Sequence, residues 1–253
     1  MNQFEWDVDP LVRSLNSIQV DEDIAQYEAL LESNATEPKI HDFLAGHSYF
    51  FNNYIRLFGP SPMYSKVKLG SDFEVDFAWF DGGSFGAEWR FVEIEPPSHR
   101  IFTNTGQPSA QLTHAIQQVR DWHAWIHNNI QYARKLLPKI EYPMGYVFIG
   151  RRSEFTPTKL NKLRRLCYEN RMFLEIHTLD TLSGCARSVK ALIKEREGGN
   201  WYVPMRALSH NDLSQGLPPL AHQFMKYDIP EQFTHFRVEQ REFKYVEEDN
   251  EVF

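Results

Sequence analysis

Two short runs, Asp72–Phe80 (DFEVDFAWF) and Ala87–Glu95 (AEWRFVEIE), alternate polar and apolar residues and are joined through Gly82, Gly83 and Gly86. Strand side chains alternate between faces with a period of two, and glycine gives the backbone the freedom a tight reversal needs. The pattern therefore predicts a β-hairpin. Closed symmetrically about residues 84 and 85, it sets Asp76 opposite Glu93 and Glu74 opposite Glu95. Opposed residues share a face with Cβ atoms about 4.5–5.5 Å apart. Four carboxylates then gather on one patch, and Val75, Phe77, Val92 and Ile94 face a core on the other side. Like charges so placed repel, and a chain that keeps them needs a solvated rim, raised pKa values or a bound cation. Mg²⁺, or Mn²⁺ in its place, suits one or two such carboxylates with water and phosphate oxygens. A solvent-facing polar strand surface is the other reading of these residues, and a one-residue slip in register would break the grouping.

The rest of the chain supplies a setting for the hairpin. MYSKVKLG (63–70) is a third strand, which makes an antiparallel meander. Residues 21–33 and 36–46 carry apolar residues at helical spacing, with Asp21 and Thr36 as caps. Leu112, Ile116, Val119, Trp122 and Ile126 mark one face of a long helix over 109–131. YVFIG (146–150) is a buried strand, followed by a basic helix (158–170), a strand (173–178) and a helix (180–196). This order predicts an α/β (α+β) fold with a mixed β-sheet flanked by helices. We divide the chain into an acidic helical segment (1–34), a main domain (35–197) and a C-terminal extension (198–253). In the extension prolines interrupt the pattern, and its last residues are expected to be loose.

The net charge of −7 is spread unevenly: residues 1–37 carry −8 and residues 231–253 carry −4, so the middle holds the balance of +5. Seven Lys and Arg lie between Arg151 and Arg171 against Glu154 and Glu169. Such a run is a phosphate-binding surface or a solvated helix face. No stretch approaches the roughly 20 apolar residues that span a bilayer. The acidic start lacks the basic and apolar regions of a signal peptide, so no membrane association and a cytoplasmic location are expected. Cys167 and Cys185 form no CxxC pair and read as reduced thiols.

The run DFEVDFAWF…WRFVEIEPPSHRIFTNTGQPSAQLTHAIQQVRDWHAWI…GYVFIGRR…FLEIHTLDTL resembles the Shedu family of prokaryotic anti-phage defence proteins, whose conserved domain belongs to the PD-(D/E)xK nuclease superfamily. The resemblance implies a restriction-endonuclease-like core and a metal-dependent deoxyribonuclease acting on DNA. It implies Asp76 and Glu93 as metal ligands, Gln118 as the assisting helix glutamine and Glu37 as an acid from the first helix. It also implies self-assembly into a homo-oligomer, although no heptad or interface stripe points to one.

The departure is Glu95, which stands where the motif has lysine. A carboxylate cannot supply the positive charge that balances a phosphate in its transition state. Glu95 could act as general base or help bind a second metal; Lys66 or Lys68 on the neighbouring strand could reach in; or the site could be silent. In that last case the chain is a nuclease-fold protein that binds nucleic acid or a partner protein. Arg151 and Arg152, directly after a buried strand, are candidate phosphate contacts. His123 and His127 sit four apart on the long helix without the glutamate a zincin needs, and read as packing or surface residues.

Overall fold

The computed structural model describes residues 12–52, 63–83, 86–137, 139–195, 201–204 and 207–214. In chain order the elements are β1 (Val12–Leu15), α1 (Ser17–Glu32), α2 (Glu37–Gly46), a 3-10 turn (Ser48–Phe51), β2 (Tyr64–Leu69), β3 (Phe73–Gly83) and β4 (Gly86–Ile94). They continue with α3 (Ala110–Asn128), α4 (Ile130–Leu136), β5 (Met144–Phe148), a 3-10 turn (Arg152–Glu154), α5 (Pro157–Asn170), β6 (Leu174–His177) and α6 (Asp180–Glu195). The last described are β7 (Trp201–Pro204), β8 (Leu208–Ser209) and α7 (His210–Ser214). Six strands form one mixed sheet in the order β6-β5-β4-β3-β2-β8, and β1 pairs with β7 apart from it. The meander β2-β3-β4 is antiparallel, whereas β4-β5-β6 and the β2-β8 edge are parallel. The fold is thus α/β, a mixed sheet flanked by helices, as the sequence predicts.

Local chemistry sets several boundaries. The first helix begins at Ser17, earlier than the Asp21 cap predicts, because Asn16 caps it: its side-chain oxygen accepts from Gln19 N–H at 2.9 Å. The predicted helix over 109–131 breaks at Asn129 into α3 and α4, and Ser109 caps its start through Leu112 N–H at 3.0 Å. The stretch read as a C-terminal extension contributes β8, which pairs with β2, and β7. The remainder, with the acidic end and the residues expected to be loose, lies outside the described residues.

Each face of the sheet has its own core. Leu112, Ile116, Val119, Trp122 and Ile126 of α3 cover one face, with Phe91, Trp89 and Val147 beneath them. Helices α1, α2 and α6 cover the other through Ile24, Tyr27, Ile40, Leu182 and Val189, over Phe77, Trp79, Val92, Ile94 and Phe148. Close approach of α3 depends on Gly145, where a Cβ would meet Val119 Cγ1 at 2.6 Å. Gly145→Ala must push α3 off β5 and is expected to cost about 1–3 kcal/mol, read as a lower urea midpoint at unchanged m-value.

Alternation fails at one place, and there the sequence reading is corrected. Val75 belongs to the α3-side core with Val67, whereas Phe77 belongs to the opposite core. The β2–β3 register nevertheless runs through without slippage, from Ser65↔Phe77 to Val67↔Val75. Both strands therefore change faces together, at Lys66 and Asp76. Lys66 adopts φ +52, a left-handed conformation that costs a residue with a Cβ about 1–2 kcal/mol. Such strain persists where surrounding structure enforces it, and it clusters at functional sites.

Candidate active site

The β3–β4 register places Phe77 opposite Val92, as symmetric closure predicts, and the ladder ends there. Beyond it the strands part: Glu93 and Ile94 pair with β5, and Glu95 N–H donates to the Phe148 carbonyl at 2.8 Å. The predicted Asp76–Glu93 and Glu74–Glu95 oppositions are thus not formed as ladder pairs. Into the opening goes the side chain of Asp76, buried to 5 % exposure. Its Oδ2 accepts from Ile94 N–H at 2.8 Å, and its Oδ1 accepts from Lys66 Nζ at 2.6 Å. The Asp76 carbonyl lies 3.3 Å from His41 Nε2; because a carbonyl can only accept, the imidazole carries its proton on Nε2.

Around Asp76 the charges crowd. Burial, and then the nearby carboxylates of Asp76, Glu95 and Glu37, push the Glu93 carboxyl well above the usual range, while a hydrogen bond from the Gln118 side chain works the other way. Glu37, in the first turn of α2, is raised by burial and by Asp76, against Lys66. Burial works against the Lys66 ammonium, yet the charge and hydrogen bond of Asp76 hold its pKa above the ordinary value. His41 is lowered, chiefly by burial.

Asp76, Glu93, Glu95, Glu37 and Gln118 therefore come together from β3, β4, the end of β4, α2 and α3. Glu74, expected in the same patch, stays at the rim with its Oε1 3.7 Å from Lys66 Nζ. Lys68 lies opposite Glu74 and is exposed, so the lysine in contact with Asp76 is Lys66. Arg151 is tied to Asp180 at the start of α6, Nε to Oδ1 at 3.1 Å. Arg152 gives its backbone N–H to Asp180 Oδ2 at 2.6 Å and leaves its side chain exposed. His123 packs edge-on against Phe173 with ring centroids 5.9 Å apart. Sequence reasoning missed His99, whose Nδ1 lies 2.6 Å from Glu95 Oε2, and His41. No periodicity signals the Glu95–His99 contact, because Pro96 and Pro97 lead into a turn.

The donor types fit a hard divalent cation, since Asp76, Glu93 and Glu37 offer carboxylate oxygens and no thiolate. The raised Glu93 pKa describes a pocket short of positive charge. As arranged, however, no group of three His, Cys, Asp or Glu among the described residues is poised to hold a metal. Both Asp76 oxygens already accept hydrogen bonds, and an ion at Oδ1 requires Lys66 Nζ to withdraw.

No helix among the described residues is long and apolar enough to cross a membrane. Residues 34–182, more than half of the chain, match the family model described as Shedu protein SduA, C-terminal. The matched span contains every residue of the cleft. No curated protein matches the chain.

Proposed function

The chain belongs to the Shedu family of anti-phage defence proteins, and from that premise we propose that it is a metal-dependent deoxyribonuclease that hydrolyses DNA phosphodiester bonds. The observation that carries this reading is the convergence of Asp76, Glu93, Glu95 and Glu37 on one cleft with the Lys66 ammonium on Asp76. Asp76 and Glu93 would hold Mg²⁺ or Mn²⁺, with Glu37 as a further oxygen donor. Bound there, the ion would polarise a phosphoryl oxygen and offset the charge that builds on it.

The chain's own groups do the rest. Gln118 fixes Glu93 through a side-chain hydrogen bond. Ile94 N–H holds one Asp76 oxygen in place, so this carboxylate needs little reordering. With an ion at Asp76 Oδ1, Lys66 would keep Glu74 as its carboxylate neighbour at 3.7 Å, and its ammonium beside the cleft would supply positive charge that Glu95 cannot. The strained φ of Lys66 keeps its stem opposite Asp76.

DNA would follow a track of basic residues beyond the ends of β4 and β5 and along α5. Glu154 is raised by burial and lowered by Arg100, Lys159 and Arg151, so these three basic residues surround it near the ends of β4 and β5. Helix α5 adds the exposed Lys162, Arg164 and Arg165. Combining Arg152→Ala with Arg164→Ala is expected to weaken DNA binding for all sequences alike. The slope of log K against log salt should become shallower by about 0.9 for each phosphate that the protein no longer neutralises. An unchanged slope in a filter-binding titration removes both residues from the track.

A second reading, binding without cleavage, draws on the absence of a poised three-donor group among the described residues. Incubation of the full chain with linear, nicked and supercoiled DNA in Mg²⁺ or Mn²⁺ separates the two. Cleavage that stops on chelation is expected. DNA that is bound but remains intact in both metals selects the binding protein.

A further inference from the structure

Glu95 replaces the lysine of the nuclease motif, and it is neither exposed nor unpaired. Its side chain is 10 % exposed, and its Oε2 meets His99 Nδ1 at 2.6 Å. Four features seat that imidazole. Residues 96–99 form a turn closed by His99 N–H to the Pro96 carbonyl at 2.9 Å. Two prolines in the turn limit the conformations available to it. The His99 carbonyl passes over Gly150, at φ +67, where a Cβ would stand 2.9 Å from that oxygen. The end of β5 is thus shaped to admit the turn. Finally, Glu37 lies within electrostatic reach of His99 as well as of Asp76 and Glu95, which puts the imidazole beside the same cleft.

We propose that Glu95 and His99 together take over the task of the missing lysine: Glu95 holds the imidazole by Nδ1, and His99 Nε2 takes a proton from the attacking water. The proposal rests on the hydrolytic reading above. A carboxylate can only accept, so Nδ1 carries the hydrogen of the 2.6 Å bond, and in the neutral form of the ring the lone pair is then at Nε2. A carboxylate that fixes tautomer and orientation in this way makes histidine an effective general base. A strand lysine orients water by charge, whereas this pair orients it by accepting its hydrogen. The buried position of Glu95 follows, because its partner is an imidazole and not the phosphate.

The step balances as an ordinary hydrolysis. The water gives one proton to Nε2, and its oxygen forms the new bond to phosphorus. The bond from phosphorus to the leaving sugar oxygen breaks, and that oxygen keeps the electron pair and takes a proton from solvent. The imidazolium then releases its proton to solvent, which restores the neutral ring. His99 is thus a catalytic residue and Glu95 a positioning residue.

The test uses the full chain with linear DNA in Mg²⁺, beside His99→Ala, Glu95→Ala and Glu95→Asp. His99→Ala is expected to lower cleavage about 100-fold or more, the lower end for general base catalysis, with DNA affinity unchanged. Added imidazole should restore part of the rate to His99→Ala and none to Glu95→Ala. Glu95→Asp, which keeps the acceptor, should retain more rate than Glu95→Ala. A readout independent of activity is ¹⁵N NMR of the histidines, where wild type should show His99 as the Nδ1–H tautomer and Glu95→Ala should lose that preference. Cleavage undiminished in His99→Ala, or a His99 without tautomer preference, overturns the pair and leaves the nuclease reading standing. A His99 held as Nδ1–H in a chain that cuts no DNA form in either metal overturns both.

Discussion

Asp76→Ala is expected to lower Mg²⁺-dependent DNA cleavage by at least about 100-fold, since losing even groups that support a metal ligand typically costs 10–100-fold. The substitution removes three things: an oxygen donor, the counter-charge of Lys66, and the acceptor of the Ile94 N–H. A buried donor left without a partner costs about 1–3 kcal/mol, so the variant should also unfold at lower urea. Asp76→Asn separates the effects. Its amide oxygen still serves Ile94 N–H while its NH2 loses the Lys66 contact, so part of the stability should return while cleavage stays low. Cleavage assays and urea melts on both variants check this, and an Asp76→Ala that cuts at the wild-type rate removes Asp76 from the mechanism.

Through Glu93, raising the pH is expected to destabilise the metal-free protein, contrary to the common behaviour of carboxylates. Glu93 has a folded-state pKa well above its ordinary value of 4.5, through burial and the neighbouring carboxylates. Between these two values the native state binds the more protons, so stability falls as pH rises. This contribution is fully present below pH 4.5 and is lost as pH climbs through the raised folded value. The slope from one proton is at most about 1.4 kcal/mol per pH unit. A divalent cation binds the ionised form and should flatten the fall. Glu93→Gln should flatten it without metal, because it replaces the acid with a neutral group of the same shape. Urea midpoints measured from about pH 5 to about pH 8, with and without Mg²⁺, read the effect directly. Because the lowered pKa of His41 acts in the opposite sense over the same range, the comparison with Glu93→Gln decides: a metal-free wild type whose midpoint falls no more steeply than that variant's contradicts the crowding of the cleft.

The hairpin register was legible from symmetric closure about residues 84 and 85, and Phe77 meets Val92 where symmetry puts it. The flanking helices were legible from apolar spacing alone, with α3 the clearest instance. Strict alternation breaks at Lys66 and Asp76, since it assumes a continuous pleat and nothing in the residue types announces a left-handed lysine. That break explains why Lys68 looked as suitable as Lys66. Glu37 joined the cleft through the placement of α2, and resemblance pointed to it where local pattern could not. The Glu95–His99 bond escaped notice because His99 lies in a turn, where helical and strand periodicities say nothing about contacts. Asn16, not Asp21, starts α1, since several residues there can cap and only the packing of Val20 and Ile24 selects one.

The short strand β8 has a consequence for the order in which the molecule can be completed. Leu208 N–H donates to the Met63 carbonyl at 2.7 Å, and His210 Nδ1 accepts the Lys68 N–H from 142 residues away. The outer edge of β2, the strand that carries Lys66, is therefore closed by almost the last segment described. A chain emerging from the ribosome amino end first can assemble β3, β4 and α3 while that edge is still bare. The lysine side of the cleft gains its full support only once residue 210 is free to fold back, so the site is finished only after a segment 142 residues beyond Lys68 has emerged.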